Sequence, residues 1–144
     1  NRGGEFGHMT IIPHGKRCYC GRYGCLDAYC TANVLTDFTE GNLKEFFDIL
    51  KSGTNRGIQN IFEDYTDYLA IAVNNLRMCF DCDVILGGKA GAYLADHIDD
   101  FREKASKLNP FERDGSYIRV CHYRTEAAAV GAAIYYIDQF IQNF

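Results

Sequence analysis

Proline occurs only twice in 144 residues, and no apolar run approaches the roughly 18 residues needed to cross a bilayer. Lys and Arg gather into no stripe, so neither a membrane nor a nucleic acid is an evident partner of these residues. An apolar secretory leader, an internal repeat, a low-complexity segment and a linker are all lacking. With 47% hydrophobic residues and a formal net charge of -4, these absences argue against disorder and describe one core-forming domain. An initiator methionine is also missing in front of NRGGEFGHM, and the expectation is a fragment of something longer.

Cysteine, by contrast, is abundant. Cys18, Cys20, Cys25, Cys30, Cys79, Cys82 and Cys121 make an odd count, which together with the missing leader argues against an oxidised, secreted scaffold. A reducing cytoplasm is the expected location. A chain of this length buries enough surface to fold without disulfide staples, so the cysteines need another explanation.

Helical spacing of apolar residues runs from Leu26 to Leu35, and again through Leu43, Phe46, Phe47 and Leu50, with Asn42 placed as N-cap and Glu45 three residues on. Ser52 to Gly57 reads as a loop. Phe62, Tyr65, Leu69, Ala72, Leu76 and Phe80 repeat at intervals of three and four, predicting a long amphipathic helix that faces a core. DVILGG, Asp83 to Gly88, reads as strand and turn, and Leu94, Ile98, Phe101, Ala105 and Leu108 as the next helix. Asn109-Pro110 ends it, Tyr117 to Tyr123 alternates like a strand, and a final helix follows with Thr125 as its cap. Strands separated by helices in this order predict an α/β domain with a parallel sheet.

The thiol cluster in CYCGRYGCLD is preceded by His8: Cys18 follows ten positions later, Cys20 two after that and Cys25 five after that. Three sulfurs and one nitrogen complete the tetrahedral sphere of a structural zinc and leave no position for water. Gly21 and Gly24 stand where a chain doubling back around an ion needs positive φ. The bland alternative is that the thiols are buried packing and His8 a satisfied core histidine. For Cys30, Cys79, Cys82 and Cys121 core filling is the expected role, the CxxC pair Cys79 and Cys82 having no second pair nearby.

GEFGHM and CYCGRYGCLD together resemble the signature of the ROK family of repressors, open reading frames and kinases, G-E-[IF]-G-H followed after about ten residues by C-x-C-G-x-x-G-C-L-E. VILGG with its following helix and the terminal AAAVGAA helix are similar as well, so the likeness covers nearly all of residues 1–144. It implies the C-terminal lobe, in part, of an actin-like, ribonuclease-H-like sugar kinase fold, with a zinc- and sugar-binding loop at about 5–27. The first strands of that lobe would be missing, leaving an open sheet edge. The resemblance puts structural zinc on His8, Cys18, Cys20 and Cys25, and a hexose on Glu5, His8 and Asp27. One histidine serves both because metal on one ring nitrogen aims the other at the ligand. Asp27 is one methylene shorter than the usual glutamate, which leaves the sugar's identity open. For Glu5 and Asp27 the residues alone favour a solvated loop carboxylate and a residue stabilised at a helix N-terminus. Gly87 and Gly88 are similar to the family's GGG turn at the nucleotide end of the cleft, but Lys89 stands in the third position.

Family kinases carry a D-x-G-G-T-like phosphate loop and a general-base aspartate ahead of this region; neither is on this chain, which is therefore expected to be inert alone, ATP and Mg2+ being relevant only if the parent is a kinase. Family repressors place a winged helix-turn-helix before a sugar-sensing body. Lys89 and Asp27 tip the expectation toward the regulator: an effector-binding, dimerising portion that meets DNA only through an N-terminal domain not on this chain. The alternatives are half of an ATP-dependent hexose kinase and a zinc-stabilised assembly module with no ligand.

Overall fold

The computed structural model describes residues 4–123 and 126–143. Local chemistry sets the first helix boundaries. The side chain of Asn42 accepts the Glu45 N–H at 3.1 Å and donates to the Glu45 carboxylate at 3.3 Å, which starts α3 at Leu43–Ser52. Gly53, at φ +67, ends it. Asn55 then accepts the Ile58 N–H at 3.1 Å and opens α4, Arg56–Phe80. The expected loop at 52–57 therefore contracts to three residues, and the long helix begins six residues earlier than its apolar spacing indicates. Upstream, the single helix expected over 26–35 is two: α1, Asp27–Cys30, and α2, Ala32–Thr36, separated by Thr31 in extended backbone.

α4 is the spine. One cluster joins its Ile58 and Tyr65 to Leu35 of α2 and to Phe46 and Phe47 of α3. A second joins its Ala70 and Val73 to β1 (Val84–Leu86), α5 (Gly88–Leu94), α6 (Ile98–Ser106) and β2 (Ile118–Val120) through Leu86, Leu94, Phe101, Ala105 and Ile118. Phe62 and Leu69 of α4 pack against both clusters. Phe46, Ile58, Phe101 and Ile118 are fully buried, each contributing about 1.5–3 kcal/mol by removal from water.

β1 and β2 run parallel, with Val84 opposite Ile118 and Leu86 opposite Val120. The ladder extends by one bond at each end, Val84 N–H to Tyr117 O and Cys121 N–H to Leu86 O, both 2.8 Å. The crossover is α5, a 3-10 turn at Ala95–His97 and α6, where one helix was expected. Arg102 of α6 ties the crossover to the sheet by donating twice to the Ile118 carbonyl, at 3.1 and 2.8 Å. The parallel α/β expectation holds, with two strands among the described residues.

Three expectations about the core do not hold. Phe80 and Leu108 are exposed, because α4 runs past the elements that cover its earlier turns and α6 stops at Ser106. Cys79 and Cys82 are exposed rather than core filling, since they flank that same protruding end. Cys30 is half-buried, donates to the Tyr65 carbonyl at 3.5 Å and has its thiol pushed up to about 12 by burial, as packing would require. The last helix, α7 (Ala127–Gln142), leaves Ile134, Tyr135, Tyr136, Ile137, Phe140 and Ile141 exposed. Thr125, its expected cap, lies outside the described residues. Among the described residues no helix is long and apolar enough to cross a membrane.

Candidate functional site

The segment from Met9 to Leu26 folds back on itself ahead of α1. Thr10 bridges Cys25 and Arg17 bridges Tyr23, both antiparallel. Ile11 N–H reaches Gly24 O at 2.8 Å, Gly24 N–H reaches Lys16 O at 2.8 Å, and Leu26 N–H reaches Met9 O at 2.9 Å. Gly21 and Gly24 both have positive φ, +88 and +78. At Gly24 the space is also closed, because a Cβ would strike the Ile12 carbonyl. The doubling back draws together His8, Cys18, Cys20 and Cys25, whose ligand atoms all lie within 4.8 Å of one another.

The spacing of these atoms fits a tetrahedral ion. With metal–sulfur bonds of about 2.3 Å, sulfurs at two corners of a tetrahedron are about 3.8 Å apart, and a sulfur–nitrogen edge is slightly shorter. Cys20 Sγ and Cys25 Sγ are 3.8 Å apart, and Cys18 Sγ and His8 Nδ1 are 3.7 Å apart. The four side chains could hold a zinc ion with little movement. Cys18 and Cys25 are buried, whereas Cys20 faces water. Hydrogen bonding from the Arg22 backbone lowers the Cys20 thiol to about 6, which favours the thiolate that a metal ion binds. Burial raises the Cys25 thiol to about 11, so an incoming ion must displace its proton.

The other face of the imidazole meets a different set of groups. Tyr19 Oη lies 3.2 Å from His8 Nε2 and donates to Asp27 Oδ2 at 3.0 Å. Its ring meets the His8 ring edge-on, with centroids 5.0 Å apart. That bond to Asp27 is the main reason the Tyr19 phenol is raised above its ordinary range, with a smaller contribution from the charge of Glu5. Asp27 Oδ2 is also 3.8 Å from His8 Nδ1, too long for a hydrogen bond. Gly7 explains how the carboxylate fits beside this turn: a Cβ there would overlap the Asp27 side chain. Glu5 is exposed at the start of the 3-10 turn Phe6–His8. The Arg22 side chain donates to the His8 carbonyl at 3.2 Å, and Asn75 of α4 reaches the Met9 sulfur at 3.7 Å. Tyr19 and Gly7 had no role in the sequence reading, where Tyr19 was the variable position between two cysteines.

Gly87 and Gly88 lie elsewhere, at the C-terminal end of β1, which in open α/β sheets is the ligand-binding end. Gly88 has φ +72. Lys89 takes the third position, and it is Gly91 that packs closest to β1, with its Cβ position 3.0 Å from the Leu86 carbonyl.

An α/β lobe that carries a Cys3His loop in front of its first helix, with a histidine between the thiols and a tyrosine hydroxyl that donates to a carboxylate, defines the class. Residues 2–139 match the ROK family, and the chain belongs to it. Named relatives include N-acetylmannosamine kinases of Escherichia coli and Escherichia fergusonii, each 29% identical over 140 residues that cover 91% of this chain and 46% of the relative. Among solved structures, a ROK hexokinase from Thermus thermophilus superposes with a TM-score of 0.69 at 25% identity, covering 92% of this chain and 48% of that one. The chain thus spans about half the length of the relatives it matches.

Proposed function

We propose that this chain is the sugar-binding half of a ROK sugar kinase, in which zinc on His8, Cys18, Cys20 and Cys25 orders a loop that offers Glu5, His8 and Asp27 to a hexose or N-acylhexosamine. The observation that carries this reading is the division of the His8 ring. Nδ1 faces the Cys18 thiol, while Nε2 faces the Tyr19 hydroxyl, which in turn donates to Asp27. Metal on Nδ1 leaves the proton on Nε2 and fixes the ring, so Nε2 becomes a single, aimed donor for a sugar oxygen. Asp27 and Glu5 then accept from sugar hydroxyls. Zinc is structural here, its four positions being taken by protein.

The names of the relatives favour a kinase over the regulator expected from the sequence. Lys89 and Asp27, which tipped that expectation, are single departures; the relatives' likeness runs along nine-tenths of the chain. In a kinase, ATP and Mg2+ would supply the phosphoryl group, with Gly87 and Gly88 at the nucleotide end. The phosphate loop and the catalytic base would come from chain outside residues 1–144.

The test is binding of N-acetylmannosamine and glucose by zinc-loaded protein and by Glu5→Gln. The variant should keep zinc and lose affinity by roughly tenfold, the scale of one charge-assisted hydrogen bond. Unchanged affinity removes Glu5 from the site, and no binding of either sugar by wild type overturns the sugar reading. A parent chain with the phosphate loop and its aspartate supports the kinase; a winged helix-turn-helix in their place overturns it.

A further inference from the structure

Tyr19 is out of place for a loop residue with no role. It stands between two clustered thiols, its backbone held by the turn in which Gly21 N–H reaches Cys18 O at 2.9 Å. The residue is 79% exposed, yet its hydroxyl has two partners within the protein. It donates to Asp27 at 3.0 Å and sits 3.2 Å from His8 Nε2. With metal on Nδ1, the Nε2–H has one proton to give, and the phenol oxygen takes it. The phenol thus accepts from the imidazole and donates to the carboxylate. A sugar hydroxyl bound between His8 and Asp27 would do the same with the same two partners.

Resting on the hexose reading above, we propose that Tyr19 is a placeholder for a sugar hydroxyl: its phenol holds His8 and Asp27 in the binding arrangement and is displaced when a hexose enters. Two physical points carry this. First, Nε2 has one proton, so sugar and phenol compete for it and only one can be served. Secondly, the phenol is held by its hydrogen bonds and the edge-on His8 contact rather than by burial, so rotation into water forfeits little packing. The arrangement also selects: a sugar lacking a hydroxyl that can both accept from Nε2 and donate to Asp27 cannot replace the phenol and leaves its partners unmatched. Tyr19 is therefore a positioning and specificity residue, with no part in any bond-making step.

The experiment is titration of zinc-loaded wild type, Tyr19→Phe and Glu5→Gln with N-acetylmannosamine and glucose, read by ligand-observed NMR, with zinc content and Tm measured in parallel. Removing the competing hydroxyl should tighten sugar binding by roughly three- to tenfold, because two solvent-exposed hydrogen bonds, to Nε2 and to Asp27, no longer have to be given up. Zinc content and Tm should stay at wild-type values. Structural damage would move affinity the other way. Equal or weaker binding by a zinc-loaded Tyr19→Phe protein overturns the placeholder while leaving the sugar site in place, provided Glu5→Gln still weakens binding. No sugar binding by any of the three overturns the site and this inference together. Should the variant lose zinc, wild type decides: with Tyr19 ring-labelled, its resonance must move to the position of a free tyrosine as sugar saturates, and an unmoved resonance overturns the proposal.

Discussion

At Gly24 two constraints coincide: φ is +78, and the space a Cβ would fill is taken by the Ile12 carbonyl. Gly24→Ala should therefore cost roughly 2 kcal/mol or more and spread the thiol cluster, since Cys25 is the next residue. Thermal melting with and without added zinc checks this, and a variant that melts and holds zinc like wild type would mean the loop relaxes freely. Cys25 has the sharper role. Its sulfur is buried and 3.8 Å from that of Cys20, and its thiol lies high, at about 11. Cys25→Ser should reduce bound zinc from about one per chain to below about a tenth and lower Tm by roughly 10 °C or more, because metal-binding free energy becomes folding free energy in such loops. Elemental analysis and calorimetry read both; full stability without metal would leave the thiols as packing alone.

Among elements, α4 is held at its two ends by different chemistry. Its N-terminus depends on Asn55, a cap whose bond is local, to the Ile58 N–H, but which lies in the stretch expected to be loop. Its C-terminal turn depends on Glu112, which lies 35 residues further along the chain. Arg77 donates through Nε to Glu112 at 2.9 Å, lies over the Tyr117 ring at 5.1 Å and also faces Asp81 at 3.4 Å. Its guanidinium holds the Glu112 carboxyl below the ordinary 4.5. A lowered carboxylate stabilises the fold above its unfolded-state pKa and ceases to do so as pH falls through the folded value. Glu112→Gln should therefore lower Tm at neutral pH, with the gap closing as pH falls through the lowered folded-state pKa. Melting curves across that range would show it; a gap independent of pH would assign the loss to packing instead. The CxxC at the end of α4 illustrates how spacing misleads: periodicity continues to Phe80, but the edge-on contact with Phe6 leaves that ring exposed.

For the molecule as a whole, α7 is the one α-helix with no buried residue among those described. It exposes six large apolar side chains. Patches of that kind on a protein surface mark contacts with other surfaces. Ending the chain at Glu126 should leave the melting of the two α4-centred clusters within about 2 °C of the full chain, since substitutions away from packed contacts stay within about 0.5 kcal/mol. It should also reduce self-association in light scattering. A collapse in Tm would show that α7 contributes to the core in solution.

Much of this protein was legible without a structure wherever the signal was local. Asn42 marks the start of α3 through a bond spanning three residues, and β1 and β2 follow from β-branched runs bounded by turns, whereas Gly53 and Asn55 fall in the stretch 52–57 expected to be one loop. The grouping of His8, Cys18, Cys20 and Cys25, whose donor atoms the fold brings within 4.8 Å of one another, was equally visible, because its members come from one short stretch. Only the folded chain could decide what depends on direction and on distant partners. Periodicity cannot tell whether a neighbour arrives to cover a face, so Phe80, Cys79 and Cys82 turn out exposed. Nor can spacing say which nitrogen of His8 faces the thiols, or that the Tyr19 hydroxyl meets the other and donates onward to Asp27. Those facts rest on ring orientation and on the packing of Asp27 against Gly7, which exist only once the loop has closed.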